Sequence, residues 1–248
     1  MLREEGIVNG KKRRVPEGIQ EGRSLMKYGM MGSFVKLAFA KTAFSYLERR
    51  LPNLDMASYQ RRVLAEYRSI VARTPSVGTM RDNMFVMTMY AGAFFIALYK
   101  TEPELLTPEV IQGLVCEVSY CPLMRMAKEG KSAFTNKEVK TRTVQATWSR
   151  EHIDEYPMNW YWFFEKVPGK DEYYITHKQC GLCKLAQQEG VSHITRYLCA
   201  MDYYTFEMQG AVLDRTKTLG YGDDECNFHL MSTERAAEIG FEKSPDAR

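Results

Sequence analysis

The chain has 248 residues, 45% of them apolar, enough to bury a sizeable core without disulfides or an obligatory metal. Its 34 basic and 31 acidic residues leave a net charge of +3 and are interspersed, so no face is built to follow a phosphate backbone and nucleic acid is not an expected partner. No window reaches the roughly 18 apolar residues of a membrane span and no apolar signal core opens the chain, so a cytoplasmic protein with six reduced cysteines is expected.

Residues 1–25 are polar and include the cluster Lys11-Lys12-Arg13-Arg14, which reads as a solvated tail. From Ser33, the spacing of Phe34, Leu37, Ala38, Thr42 and Tyr46 predicts a helix that Pro52 ends. A second helix is predicted over 58–71, closed by Pro75 and Gly78. Asn83 is placed to cap a third, broadly apolar helix over 84–99, the expected core helix. Thr107-Pro108 opens a fourth helix, to about Val118, and Pro122 a short fifth. After Lys131 a polar stretch gives way to Thr141-Arg142-Thr143-Val144, where strand propensity dominates. The aromatic run Trp160 to Phe164, the turn Val167-Pro168-Gly169-Lys170 and a strand from Glu172 predict a hairpin over 160–177. Alternate aromatics of that run are expected in the core, the others at a pocket wall or a homodimer interface.

Two helices follow, one from Cys180 to Gly190 and one capped by Ser192 and ending at Gly210. A second hairpin is predicted from 211–219 and 226–231 around Gly220-Tyr221-Gly222-Asp223-Asp224, then a short helix or tail. The expected class is α+β, in one domain over 26–235: a helical half (26–130) packed on an antiparallel sheet with two covering helices (141–231), and a tail over 236–248.

Cys180 and Cys183 are three apart at a predicted helix start, so both thiols can face one side, where the helix dipole favours thiolate. Cys199 and Asp202 are also three apart, and Cys226 follows a tight turn. Three readings compete. Cys180, Cys183, Cys199 and Cys226 could hold zinc, although only one CxxC pair is present and the remaining spacing is atypical. They could be small hydrophobes in a packed interface, the reading adopted for Cys116 and Cys121. Or Cys180 or Cys183 could be a reactive or substrate-contacting thiol.

Taken as strings, Cys180-Gly-Leu-Cys183, Tyr197-Leu-Cys199-Ala-Met-Asp202, Leu213-Asp-Arg215-Thr216-Lys-Thr218-Leu219 and Gly222-Asp223-Asp-Glu-Cys226-Asn-Phe228 resemble the L-2-amino-thiazoline-4-carboxylic acid hydrolase family over about 50 residues. Asn227 stands where that family commonly has Asp. The resemblance implies hydrolytic opening of a five-membered cyclic isothiourea bearing a carboxylate, to a carbamoylated cysteine. On that reading Asp202 holds the amidine cation and Arg215 forks onto the substrate carboxylate. Thr216, Thr218, Asp223, Cys199 and Cys226 complete the expected binding set, and His229, His177 or Asp223 supplies a base. Attack by Cys180 or Cys183 through a covalent intermediate is the alternative to direct attack by water. His152 and His193 receive no role. No cofactor is expected, with zinc or another transition metal as the alternative, and the expected partner is a small molecule rather than a membrane. A non-enzymatic ligand-binding or metal-sensing domain is the rival from another class, and a dithiol redox protein a third, disfavoured by the missing thioredoxin-like βαβ pattern.

Overall fold

The computed structural model describes residues 24–244; the basic cluster at Lys11–Arg14 and the last four residues of the expected tail lie outside them. The first half is helical, as its periodicity predicts. α1 (Gly29–Arg50) buries Val35, Phe39, Ala43 and Leu47, a stripe at four-residue steps. Asp55 starts α2 (Met56–Arg73) by accepting from Ser58 N at 3.0 Å, the N-cap bond that satisfies an otherwise unpaired amide. α3 (Val86–Thr101) is the core helix: Met89, Ala93, Phe94, Ile96 and Leu98 are fully buried. Asn83 is not its N-cap. It sits buried two residues earlier, accepting from Phe85 N at 2.9 Å and donating to Val77 O and Asn159 Oδ1. Prolines open α4 (Pro108–Ser119) and α5 (Pro122–Lys128), where a missing N–H costs nothing.

Residues 141–144 depart from expectation. They lie inside α6 (Asn136–Glu151), not in a strand. Thr135 caps this helix by accepting from Glu138 N at 3.2 Å, and Thr143 returns its hydroxyl to Val139 O at 2.9 Å. That back-bond lets a β-branched residue sit in a helix interior.

The four strands β1 (Tyr161–Lys166), β2 (Glu172–Gln179), β3 (Ala211–Asp214) and β4 (Cys226–Ser232) form one antiparallel sheet in the order β1-β2-β4-β3. Trp162 pairs with His177 and His177 with Cys226; one step along, Phe164 pairs with Ile175 and Ile175 with Phe228. Strand alternation therefore puts these six side chains, with Leu213 and Leu230, on one face. α6 packs on β1 and α9 (Met201–Met208) on β3. The opposite face carries Tyr174, Asn227 and His229, and α10 (Thr233–Glu238) packs beside β4.

Two elements near the cysteines are shorter than expected. The helix predicted from Ser192 to Gly210 is broken into a 3-10 turn (Ser192–Ile194), α8 (Thr195–Leu198) and α9. β3 ends at Asp214, so residues 215–218 leave the sheet and lead into a 3-10 turn at Leu219–Tyr221.

Candidate active site

The CxxC segment opens α7 (Gly181–Gln188), with Cys180 at the N-cap position and Cys183 in the first turn. Two glycines fix where it sits. A Cβ on Gly181 would run into the Met158 carbonyl oxygen and the Trp160 ring, and a Cβ on Gly92 of α3 would meet Leu182. At its other end Glu189, its side chain 2% exposed, accepts from Arg73 Nε at 2.8 Å and Lys100 Nζ at 2.6 Å. The thiol-bearing helix is thus clamped to the helical half at both ends.

Beside this helix start lies a cleft of about 510 Å³, within the size range of small-molecule sites. Gln179, Cys180, Cys183 and Lys184 contribute one segment of its lining, His193 and Thr195 a second, Leu219 and Gly220 a third. A larger groove of about 600 Å³ along α1, lined by Phe34, Leu37 and Leu123, carries no thiol or imidazole. The cleft is therefore the candidate for chemistry.

Behind it the remaining sulfurs gather. Gly220 leans on Cys199, to whose Sγ an added Cβ would be 2.8 Å. Thr218, fully buried, donates to Cys199 Sγ at 3.7 Å and lies 3.4 Å from Cys226 Sγ, which also accepts from Leu219 N at 3.3 Å. Cys180, Cys199 and Cys226 are near enough that charge on one opposes charge on another. Burial pushes the Cys199 thiol up to about 12 and the Cys226 thiol up to about 11. The neighbouring Cys183 side chain and then desolvation raise the half-buried Cys180 thiol well above the usual thiol range. The helix dipole expected to favour a Cys180 thiolate is outweighed there.

Arg215 is 1% exposed. Its Nη1 donates to Asp202 Oδ2 at 2.8 Å and Nη2 to Cys199 O at 3.1 Å, and its guanidinium stacks 4.9 Å from the Phe228 ring and 5.2 Å from the Tyr203 ring. Asp202 keeps 43% of its side chain exposed, with Oδ2 given to Arg215. Its carboxyl is nonetheless held above the ordinary range, because desolvation by the surrounding protein atoms outweighs the Arg215 charge. Neither residue lines the cleft.

The structure thus draws Cys180, Cys183, Cys199, Cys226, Thr218, Arg215 and Asp202 into one locality, with Asp223 at its edge, and leaves His229 and Thr216 outside it. His229 projects from the opposite sheet face, where it stacks on Tyr174 and meets Glu172 Oε1 at 2.8 Å. Thr216 is tied to Asn227, whose Nδ2 donates to its hydroxyl at 2.8 Å; an Asp at 227 could hold that hydroxyl only as an acceptor. Asp223 braces the turn by accepting from Thr218 N at 2.7 Å. His177 is on the cleft-side face but walled by Trp162, Phe85 and Phe228. Burial, with help from the Arg215 charge, pushes it down to about 3, so it is neutral near pH 7.

Two cleft residues escaped the sequence reading. His193, with Nε2 2.7 Å from the Tyr99 hydroxyl, follows no motif and is placed only by the break after α7. Lys184 is adjacent to Cys183, which was its one local signal. Among the described residues no group of three His, Cys, Asp or Glu side chains is arranged to hold a metal ion; the four cysteines weighed as a zinc set are not such a group. No described helix is long and apolar enough to cross a membrane.

An α+β domain with a CxxC helix start at the edge of a cleft, and a buried arginine paired with a partly exposed aspartate behind it, defines the class. The profile of the L-2-amino-thiazoline-4-carboxylic acid hydrolase family matches residues 87–230, which contain every element of this site, and the chain belongs to that family. No curated protein and no solved structure matches it.

Proposed function

We propose that this protein is a hydrolase that opens a small cyclic isothiourea carrying a carboxylate, the class of compound in the family's name. The observation that carries the reading is the shared cleft: two thiols and an imidazole from separate segments line one open space inside the region the family profile covers. Cys183 and desolvation hold the Cys180 thiol well above the usual range, so Cys183 is the thiol we assign to attack. His193, the imidazole in the cleft's lining, is the group we assign to accept protons.

In this route Cys183 Sγ adds to the ring carbon flanked by nitrogen and sulfur, the ring C–S bond breaks, and the departing sulfur takes a proton. Water then attacks the enzyme-bound isothiourea, releasing the Cys183 thiol and a carbamoylated cysteine. Asp202 and Arg215 act behind the cleft. Their ion pair and the Arg215 bond to Cys199 O fix the junction between α8 and α9, in place of the direct substrate contacts first expected of them. Six free cysteines favour a reducing compartment.

The test is incubation of the purified chain with L-2-aminothiazoline-4-carboxylate, following carbamoyl-cysteine by mass spectrometry. Cys183→Ser should lower kcat by at least about 100-fold. Full turnover by that variant would return the attack to water. Absence of product from wild type across cyclic amidine carboxylates that nonetheless raise its Tm would make it a binding domain.

A further inference from the structure

Arg215 is enclosed and already paired, so a substrate carboxylate needs another partner. Among the described residues the cleft's lining contains Lys178, Lys184 and His193 and no Asp or Glu. Lys178 is already matched, meeting Glu225 Oε2 at 2.5 Å. Lys184 is not. Its Nζ donates to the Pro157 carbonyl oxygen at 2.7 Å, and among the described residues it forms no ion pair.

We propose that Lys184 is the specificity-determining residue of the cleft, binding the carboxylate of a small cyclic acid so that the ring lies beside Cys183. The identity of the acid rests on the hydrolase reading above; the anion preference does not.

Four observations converge. Lys184 and Cys183 are consecutive on α7 and both line the cleft, so one small ligand in that cleft can touch both. An ammonium has three donors; the bond to Pro157 uses one and fixes the head, leaving two for an anion. The anchor is rigid, because Pro157 O also accepts from Gln179 Nε2 at 3.0 Å and Gln179 reaches Asn159 O at 2.6 Å. Finally, burial of Lys184 lowers its pKa, and no carboxylate among the described residues opposes that shift. A partly desolvated cation without a counter-ion is favourable once an anion completes it. The same arrangement rejects uncharged analogues, which leave the ammonium unmatched.

Titration calorimetry of the full chain with L-thiazolidine-4-carboxylate, which lacks the reactive amidine, and with its carboxamide tests this without turnover. Wild type should bind the carboxylate at least about 10-fold more tightly. Lys184→Gln should level the two ligands, and Lys184→Arg should restore part of the preference. With the thiazoline carboxylate as substrate, Lys184→Gln should raise KM at least about 10-fold while kcat changes less than about 3-fold. Equal binding of both ligands by wild type, or an unchanged preference in Lys184→Gln, overturns the assignment even if hydrolysis is observed. Carboxylate preference that depends on Lys184 without any turnover leaves the assignment standing and removes the hydrolase reading.

Discussion

Replacing Arg215 by Met keeps the stem that packs between Tyr203 and Phe228 and removes the charge. The loss includes one charged hydrogen bond to Asp202 and one to Cys199 O, whose carbonyl retains a weaker bond from Asp202 N at 3.4 Å. It also includes two ring contacts at 4.9 and 5.2 Å, each worth about 0.5–2 kcal/mol when desolvated. Against these stands the desolvation of the guanidinium itself, which the variant no longer suffers. The net cost is about 3 kcal/mol, below the stability of an ordinary domain.

The cost should depend on pH, and the sign follows from Asp202. Its folded pKa is already above the unfolded value, so the folded state binds the extra proton between the two, and this group's contribution falls as pH rises through that window. Without Arg215 the carboxyl is raised further and the penalty at high pH grows. Full Coulomb attraction between charge centres about 4 Å apart would be about 4 kcal/mol at an effective dielectric of 20; the 43% exposure of Asp202 screens it to about 1–2 kcal/mol. Urea titrations followed by far-UV circular dichroism at pH 5 and pH 8 should show the variant losing about 1–2 kcal/mol more at pH 8. A loss under about 1 kcal/mol, or one equal at both pH values, refutes the buried-pair account.

His177 is pushed down to about 3, so the unfolded chain binds its proton first, and wild-type stability should fall by up to about 1.4 kcal/mol per pH unit below roughly 6.5; His177→Phe should flatten that slope in acid titrations of stability. Glu189→Gln should cost about 2 kcal/mol near pH 7, with Arg73 and Lys100 partly exposed and so partly screened. The pKa of Glu189 is lowered in the fold, so its contribution is lost as pH falls through that value and the wild type and variant should converge in acid. Gly181→Ala should destabilise by about 1–3 kcal/mol in urea titration, because the added methyl must displace backbone at Met158.

The helical half was legible because its signals are local: Pro52 and Pro108 mark ends, and apolar spacing marks faces. α6 was misread because Thr141, Thr143 and Val144 carry strand propensity; the contrary signal, Thr135 three residues before Glu138, is a capping box. The cysteine motif was legible as a string, and its members do meet. The role of Arg215 was not, since its burial comes from Tyr203 and Phe228 on elements 12 and 13 residues away in opposite directions. His229 could have been excluded from the start: three residues after Cys226 on one strand, it must face the other way. His193 had no local signal at all, because only the chain reversal after Gly190 carries it to the cleft.

The central claim is that the thiols at the start of α7 perform the chemistry. Acid-quenched single turnover with the thiazoline carboxylate, followed by mass spectrometry of the tryptic peptide 179–184, tests it most directly. The account predicts a mass gain of one whole substrate molecule on Cys183, since addition and ring opening expel nothing. Product formation with that peptide unmodified, together with wild-type kcat in Cys183→Ser, would contradict it.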